Sequence, residues 1–269
     1  MSTHRDVSIV ITCFDYGRFL AEAVASALGQ DGGSPEVIVV DDGSTDPDTL
    51  TALDALPGEA QVLRRANGGP ARARNTGAAA ATGELLLMLD ADDRLAPDAL
   101  AAMRQPLDAD PGLGFAYGRT RCFGAMSGEL AFPPYDPYKL LYRSLVSVTS
   151  LVRREAFEAV GGFDPDVPGY EDWDFYLSLL EAGWEGRRVD RVTLHYRRHD
   201  RSAFTADRAD YRRRWRALRA KHAALYARRE ELARRSEAGA LERAVYRGFW
   251  GPRPVPARLE QAAYRILLR

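Results

Sequence analysis

The run Leu85-Leu86-Leu87-Met88-Leu89 is followed at once by Asp90-Ala91-Asp92-Asp93. A continuous apolar run suits a strand covered on both faces. Three carboxylates cannot extend it into a core, because unpaired buried charge is too costly. The strand must stop there, and its acids must meet water, a cation or a ligand. A divalent cation bridged to phosphate is the partner that best suits clustered hard oxygens. Helix capping before Pro97 explains Asp93 but leaves the other two acids over.

The segments around this run alternate. Apolar runs at 7–12, 36–40, 61–63 and 84–89 read as strands. Between them, helical patterns run through Leu20, Val24, Ala27 and Leu28, then 48–56, then 71–81, with a further helix at 97–107. Asp46 or Ser44 can cap the second. Pro70 fits the first turn of the third, and Thr82-Gly83 stops it. Continuous apolar strands alternating with helices predict an α/β fold with a mostly parallel, Rossmann-like sheet. Right-handed crossovers bring the strand C-terminal ends to one edge, where ligands bind. Thr12, Asp42 and the acids at 90–93 fall on that edge.

The later sequence is less regular. Pro133, Pro134 and Pro137 interrupt 115–153, which is expected to cross the sheet edge. A short helix at 154–160 stops at Gly161-Gly162. An amphipathic helix at 170–182 ends at Gly183. Val189 and the stretch 193–196 read as edge strands. From Phe204 the chain reads as helical and arginine-rich to about Glu237, and three prolines then precede a last helix at 257–268.

A formal net charge of −1 hides an asymmetry. Residues 1–204 hold 20 basic and 31 acidic side chains, whereas 205–269 hold 17 and 7. The expected division is an α/β domain at 1–204 and a basic helical C-terminal extension at 205–269. The acidic first part argues against a nucleic-acid partner. No apolar run reaches the roughly 18 residues a spanning helix needs. The polar start, 1–6, leads directly into a strand, so no secretory leader is expected. Cys13 and Cys122 have no metal spacing and read as buried thiols of a reducing compartment, the cytoplasm. Neither a Walker loop nor a Gly-x-Gly-x-x-Gly turn is present, so ATP and NAD are disfavoured.

Four more clusters carry potential chemistry. Thr12-Cys13-Phe14 with Asp42 could accept the N3–H of uracil on a carboxylate and stack the base on an aromatic ring; Asp42-Gly43-Ser44 is also ordinary turn chemistry. Asn67-Gly68-Gly69 allows close backbone approach, and Arg72 or Arg74 can reach phosphate; a solvated helix start is the alternative. Glu171-Asp172 opens a helix whose dipole favours the anion, so Asp172 can act as general base, although acidic helix starts are common. Arg197, Arg198, His199 and Ser202 could close over a diphosphate, or simply line a surface strand.

Taken together, these residues resemble the family 2 inverting glycosyltransferases of the GT-A fold. The matching stretches are 7–12, Val39-Val40-Asp41-Asp42-Gly43-Ser44-Thr45-Asp46, Ala73-Arg74-Asn75-Thr76-Gly77, 83–93, and Gly161-Gly162-Phe163-Asp164 followed by Glu171-Asp172. They keep the family's order from residue 7 to about 203. The resemblance implies a nucleoside-diphosphate sugar donor, UDP favoured, and an acceptor hydroxyl on a glycan or lipid-linked molecule in cell-surface glycan synthesis. Asp42 would read the base, with Thr12, Phe14, Asn67 and Arg74 around the nucleotide. Asp90 and Asp92 would end the Asp-x-Asp motif. Asp92, Asp93 and His199 would hold Mn²⁺ or Mg²⁺, with Ser202 near the diphosphate, and Asp172 would be the base. Phe14 stands where the family often has tyrosine, so stacking survives and a hydroxyl contact is lost.

A phosphatase of the haloacid-dehalogenase type also places Asp-x-Asp after an apolar strand. It needs a Thr or Val soon after and a downstream lysine, whereas Arg94-Leu95 follows here and Lys139 sits among prolines. Residues 205–269 have no counterpart in the common core of the resembling family. Their arginines are interleaved with Trp215 and Leu218, and farther on lie Leu259, Tyr264, Ile266, Leu267 and Leu268. That pattern suits peripheral docking on an anionic membrane face. Packing on the acidic domain, or on a second subunit of a homodimer, explains it equally.

Overall fold

A computed structural model of the chain describes residues 6–130, 133–199 and 211–250. Its first four strands are the four apolar runs. β1 (Val7–Cys13), β2 (Glu36–Asp41), β3 (Ala60–Arg64) and β4 (Leu85–Asp90) pair in parallel in the order β3-β2-β1-β4. Each runs a little past its apolar residues, because the backbone keeps pairing after the side chains turn polar: Thr12 lies opposite Asp90, and Cys13 opposite Asp41.

The crossovers are α1 (Gly17–Leu28), α2 (Pro47–Asp54) and α3 (Pro70–Ala80). Asp46 caps α2 by accepting the Thr49 N–H at 3.0 Å. Side chains alternate along the strands and supply two apolar layers. Ile9, Ile11, Val39, Leu87 and Leu89 pack with Leu20 and Val24 of α1. Val10, Ile38, Val40, Leu86 and Met88 pack with Ala73 and Ala78 of α3. A Cβ on Gly77 would lie 2.2 Å from Val10 Cγ1, so only glycine lets α3 settle on the sheet.

The second half departs from the expected outline. After β5 (Arg94–Leu95) and α4 (Ala99–Ala109) come β6 (Leu113–Gly124), β7 (Gly128–Leu130), α5 (Pro137–Leu140), β8 (Leu151–Arg153), α6 (Arg154–Ala159), α7 (Glu171–Glu181) and β9 (Glu185–Arg198). The described strands form one sheet, ordered β3-β2-β1-β4-β8-β6-β9-β5, with β7 attached to β6. The segment expected to cross the sheet edge thus contains an interior strand, β6. Gly114 and Gly118 look like breakers in sequence but mark close approach: added Cβ atoms would meet Trp184 Cβ at 2.8 Å and Thr193 at 2.4 Å. The two edge strands expected near 189 and 193–196 are one strand, β9, paired with β6 on one side and β5 on the other. Its arginines and acids hide the strand signal because much of it is only half covered.

Among the described residues the arginine-rich region is helical, as expected, in four short helices: α8 (Tyr211–Lys221), α9 (Ala223–Ala227), α10 (Arg229–Arg235) and α11 (Ala240–Val245), with a π-helical turn from Tyr246. Trp215, Leu218, Leu225, Tyr226, Leu232 and Tyr246 join the apolar cluster of Tyr138, Leu140, Trp173 and Tyr176. The apolar stripe of α8 is therefore covered by the α/β part of the chain. The expected final helix lies outside the described residues. Among the described residues no helix is long and apolar enough to cross a membrane.

Candidate active site

Parallel pairing places the ends of β1, β2 and β4 side by side, and the polar residues follow from that. Thr12 donates its hydroxyl to Asp90 Oδ1 at 3.4 Å. Asp42, just beyond β2, donates its N–H to the Cys13 carbonyl at 2.9 Å. Its carboxylate is buried and accepts the N–H groups of Gly68 at 3.1 Å and Gly69 at 2.7 Å, with the Arg65 guanidinium alongside. Asp42 thus fastens the glycine loop to the sheet edge. Asn67, at the tip of that loop, is exposed. Phe14, just beyond β1, is 46% exposed, one of the few large apolar residues left open to solvent among the described residues. Asp15 behind it adopts φ 53° and accepts the Thr45 and Asp46 N–H groups at 2.8 and 2.9 Å.

Arg74 is not an exposed phosphate contact. It is buried and holds two acids at once, donating from one terminal nitrogen to Asp172 Oδ1 at 2.9 Å and from the other to Asp90 Oδ1 at 3.0 Å. Glu171 lies 3.9 Å away, and the Phe163 ring sits 5.4 Å below the guanidinium carbon. Burial alone would disfavour the arginine's charge; Asp172, Asp90 and Glu171 outweigh it and raise its pKa further. One side chain from α3 thereby joins the end of β4 to the start of α7, which are 82 positions apart by residue number from Asp90 to Asp172.

The Asp172 side chain is more than a third exposed, and the protein packed around the rest of it desolvates the carboxylate. That burial pushes its pKa up to about 6, with Glu171 and Asp90 adding repulsion and Arg74 pulling the other way. The carboxylate is therefore ionised above neutrality and basic enough to accept a proton.

The three acids at the end of β4 and just beyond it have three different settings. Asp90 faces Arg74. Asp92 Oδ2 lies 2.9 Å from His199 Nε2, and the imidazole packs on Tyr16 and Phe19 at ring distances of 5.5 and 5.4 Å. Burial raises the Asp92 pKa, Asp90 adds to the rise, and the His199 bond opposes it. Asp93 is 2% exposed and accepts the Arg197 N–H at 2.8 Å. Arg197 in turn donates to the Asp92 carbonyl at 2.8 Å and to Glu22 at 2.9 Å. Asp93 and Arg197 therefore tie β9 to the turn after β4, in place of the metal and diphosphate contacts expected for them. The structure brings Asp92 and His199 together as expected; Ser202 lies outside the described residues.

Carboxylate and imidazole donors suit Mn²⁺ or Mg²⁺, which commonly takes only one or two carboxylates from the protein and completes its shell with phosphate and water. Among the described residues no three His, Cys, Asp or Glu side chains converge as a protein-only cage. Asp92 and His199, with Asp90 beside them, fit a shared protein–phosphate site; the buried Asp93 does not.

Further residues hold the site in place. Asn75 donates to the Phe163 carbonyl at 2.7 Å and accepts the Phe163 N–H at 2.9 Å, pinning the Gly161-Gly162-Phe163-Asp164 turn. Gly162 has φ 76°, and a Cβ there would meet Asn75 Oδ1 at 2.6 Å. Trp173 donates its indole N–H to the Leu140 carbonyl at 2.7 Å. Asp174, the other acid on this helical turn, is 1% exposed and belongs to a buried ion cluster with Lys221 and His222. Sequence could pick out Asp42 and Arg74 but not Arg65 or His222, whose roles depend on contacts between distant segments.

Residues 8–159, more than half of the chain, match the glycosyl transferase family 2 model, and residues 130–201 match one for the N-terminal domain of galactosyltransferase. The chain belongs to glycosyl transferase family 2. It is similar to an uncharacterized glycosyltransferase of Nostoc sp., 41% identical over 97 residues, covering 35% of this chain and 30% of that protein. Chondroitin synthase of Pasteurella multocida is 29% identical over 184 residues, covering 66% of this chain and 19% of the synthase. The chain thus spans less than a third of the length of either relative. The fold is similar to that of S. aureus TarS 1-349 in complex with UDP-GlcNAc, with a TM-score of 0.70 at 16% identity, covering 98% of this chain and 76% of that one. The architecture is accordingly of the GT-A type, as the strand-end motifs implied.

Proposed function

We propose that this chain transfers a sugar from a nucleoside-diphosphate sugar, UDP-linked by preference, to an acceptor hydroxyl in glycan synthesis, with inversion at the anomeric carbon and dependence on a divalent cation. The observation that carries the reading is the Arg74 guanidinium between Asp90 and Asp172. It sets a basic carboxylate one guanidinium away from the acids at the end of β4.

The roles follow from chemistry. Phe14 offers a stacking face for the base, and the loop fastened by Asp42 lines the nucleotide's side of the cleft. Asp92 and His199 would hold Mn²⁺ or Mg²⁺, which when bound offsets the charge of the diphosphate. Asp172 accepts the proton of the acceptor hydroxyl as its oxygen attacks the anomeric carbon. The bond to the diphosphate breaks on the opposite face, so one displacement inverts configuration. Arg74 keeps Asp172 oriented and favours its ionised form, so that it meets the hydroxyl as a base. The relatives support this reading: one is named a chondroitin synthase, and one structural neighbour was solved with UDP-GlcNAc. The acceptor is proposed to be a glycan or a lipid-linked molecule, and the chain to work in the cytoplasm, peripherally on an anionic membrane face or as a homodimer.

Titration calorimetry with UDP tests the donor and the cation together. UDP should bind at least about tenfold more tightly with Mn²⁺ than in EDTA, because Asp90 and Asp92 otherwise repel the diphosphate. Equal affinity in both conditions removes the metal role. No UDP binding in either removes the donor class.

A further inference from the structure

We infer that His222, in the arginine-rich C-terminal region, is a positioning residue for the catalytic carboxylate Asp172; the inference rests on the role proposed above for that acid. His222 connects α8 to α9 and is fully buried. Its Nε2 lies 2.9 Å from Asp174 Oδ1, and its Nδ1 lies 2.9 Å from Glu181 Oε2. Asp174 and Glu181 are seven positions apart on α7, two turns along one helix face. A single ring therefore braces α7 near its beginning and at its end.

An imidazole can donate from both nitrogens only when doubly protonated. Two carboxylate oxygens, one on each nitrogen, therefore select the imidazolium. Burial opposes that charge, but the bonds to Asp174 and Glu181 hold the His222 pKa above its ordinary value. Lys221 completes the cluster, with Nζ 2.7 Å from Asp174 Oδ2 and 2.6 Å from Asp164 Oδ2. Asp164 belongs to the turn that Asn75 pins.

The first turn of α7 is thus gripped by three consecutive side chains. Arg74 holds Asp172, the Leu140 carbonyl holds Trp173, and His222 with Lys221 holds Asp174. The first two grips come from the α/β part of the chain and the third from residues after 205. Loosening the third lets the turn roll about its axis and moves Asp172 relative to an acceptor hydroxyl. It does not touch Phe14, the Asp42 loop or the Asp92–His199 pair, which face the donor. A base displaced by a fraction of an ångström slows the chemical step without weakening donor binding.

The test compares the full-length protein with its His222→Gln variant in steady-state transfer from UDP-sugar and in UDP calorimetry. The expected result is a kcat lower by roughly 10–100-fold, with donor KM and UDP affinity within about twofold of the parent. The parent's kcat should fall toward alkaline pH as His222, faced by Asp174, Glu181, Lys221 and Asp164, loses its proton, and that fall should vanish in the variant. An unchanged kcat overturns the inference, and so does a matched loss of kcat and donor affinity. If His222→Gln does not fold, Glu181→Gln decides, since it removes one bond at a partly exposed end of α7: lower kcat at constant KM supports the brace, and unchanged kcat overturns it. If the parent binds UDP but transfers nothing, the proposed activity fails by itself. The brace is then read from hydrogen exchange of the amides at 171–175, about tenfold faster exchange in the variant supporting it and equal exchange rejecting it.

Discussion

The acids at the end of β4 and the acid at the start of α7 meet around the Arg74 guanidinium but are held in different ways. Asp90 ends β4, a buried strand between β1 and β8, and pairs with Thr12 in the ladder to β1; Asp92 follows two residues on. Asp172 sits on the first turn of a helix, where no sheet register applies, and that turn depends on Arg74 of α3, the Leu140 carbonyl of α5 and His222 between α8 and α9. The first arrangement is set by main-chain pairing and tolerates changes around it. The second is set by a few buried charges and should fail when one is removed.

The sharpest way to break this contrast is at Asp172. Asp172→Asn keeps the shape and removes the base, so transfer should fall by roughly 10²–10⁴-fold while UDP binding persists. Near-normal transfer would exclude Asp172 as the base. The buried Asp174 could not replace it, since its carboxylate is already committed to Lys221 and His222.

A somewhat smaller effect is expected at the connection between the two regions. Arg74→Met takes away the charge that lowers the Asp172 pKa and leaves two acids facing each other. Asp172 works as the anion, so activity rises with pH through about 6 in the parent. In the variant that acidic limb should move to higher pH, and kcat at pH 7 should fall about tenfold or more. A limb that stays in place would show that Arg74 shapes the site without tuning the base.

The smallest effect tests the backbone alone. Gly162→Ala forces a side chain onto φ 76° and against Asn75 Oδ1 at 2.6 Å. It should cost about 1–3 kcal/mol of stability, read as a lower Tm, with less effect on the rate of the folded enzyme. A rate loss larger than the stability loss would mean that the Gly161-Gly162 turn positions Asp172 as directly as Arg74 does.

The same contrast explains what sequence could show. The strands β1, β2 and β4 were legible because each is a largely apolar run with a polar end, Thr12 in β1 and acids in β2 and β4. Their C-terminal ends then identified Thr12, Asp42 and Asp90. β6 and β9 were not, because glycines that permit close packing look like breakers and because arginines cover a half-exposed strand. Asp172 was legible only as an acid at a helix start. The partners that make it a base, Arg74 and the buried walls, belong to packing between distant segments. Asp92 and Asp93 are neighbours of the same type, yet one opens toward His199 and the other accepts a β9 amide. No property of the two residues in isolation distinguishes them.

The chain contains only two lysines, Lys139 and Lys221, against 35 arginines. Both sit at the junction of the α/β part with the C-terminal helices. Lys139 pairs with Glu242 at 2.6 Å, and Lys221 pairs with Asp164 and Asp174. Guanidinium groups are inert to the mild acylating reagents that consume amines. Apart from the chain's amino terminus, such reagents therefore address that junction alone. The protein has concentrated its amine reactivity where the two parts meet, and the degree of modification at two positions becomes a gauge of how firmly they are joined.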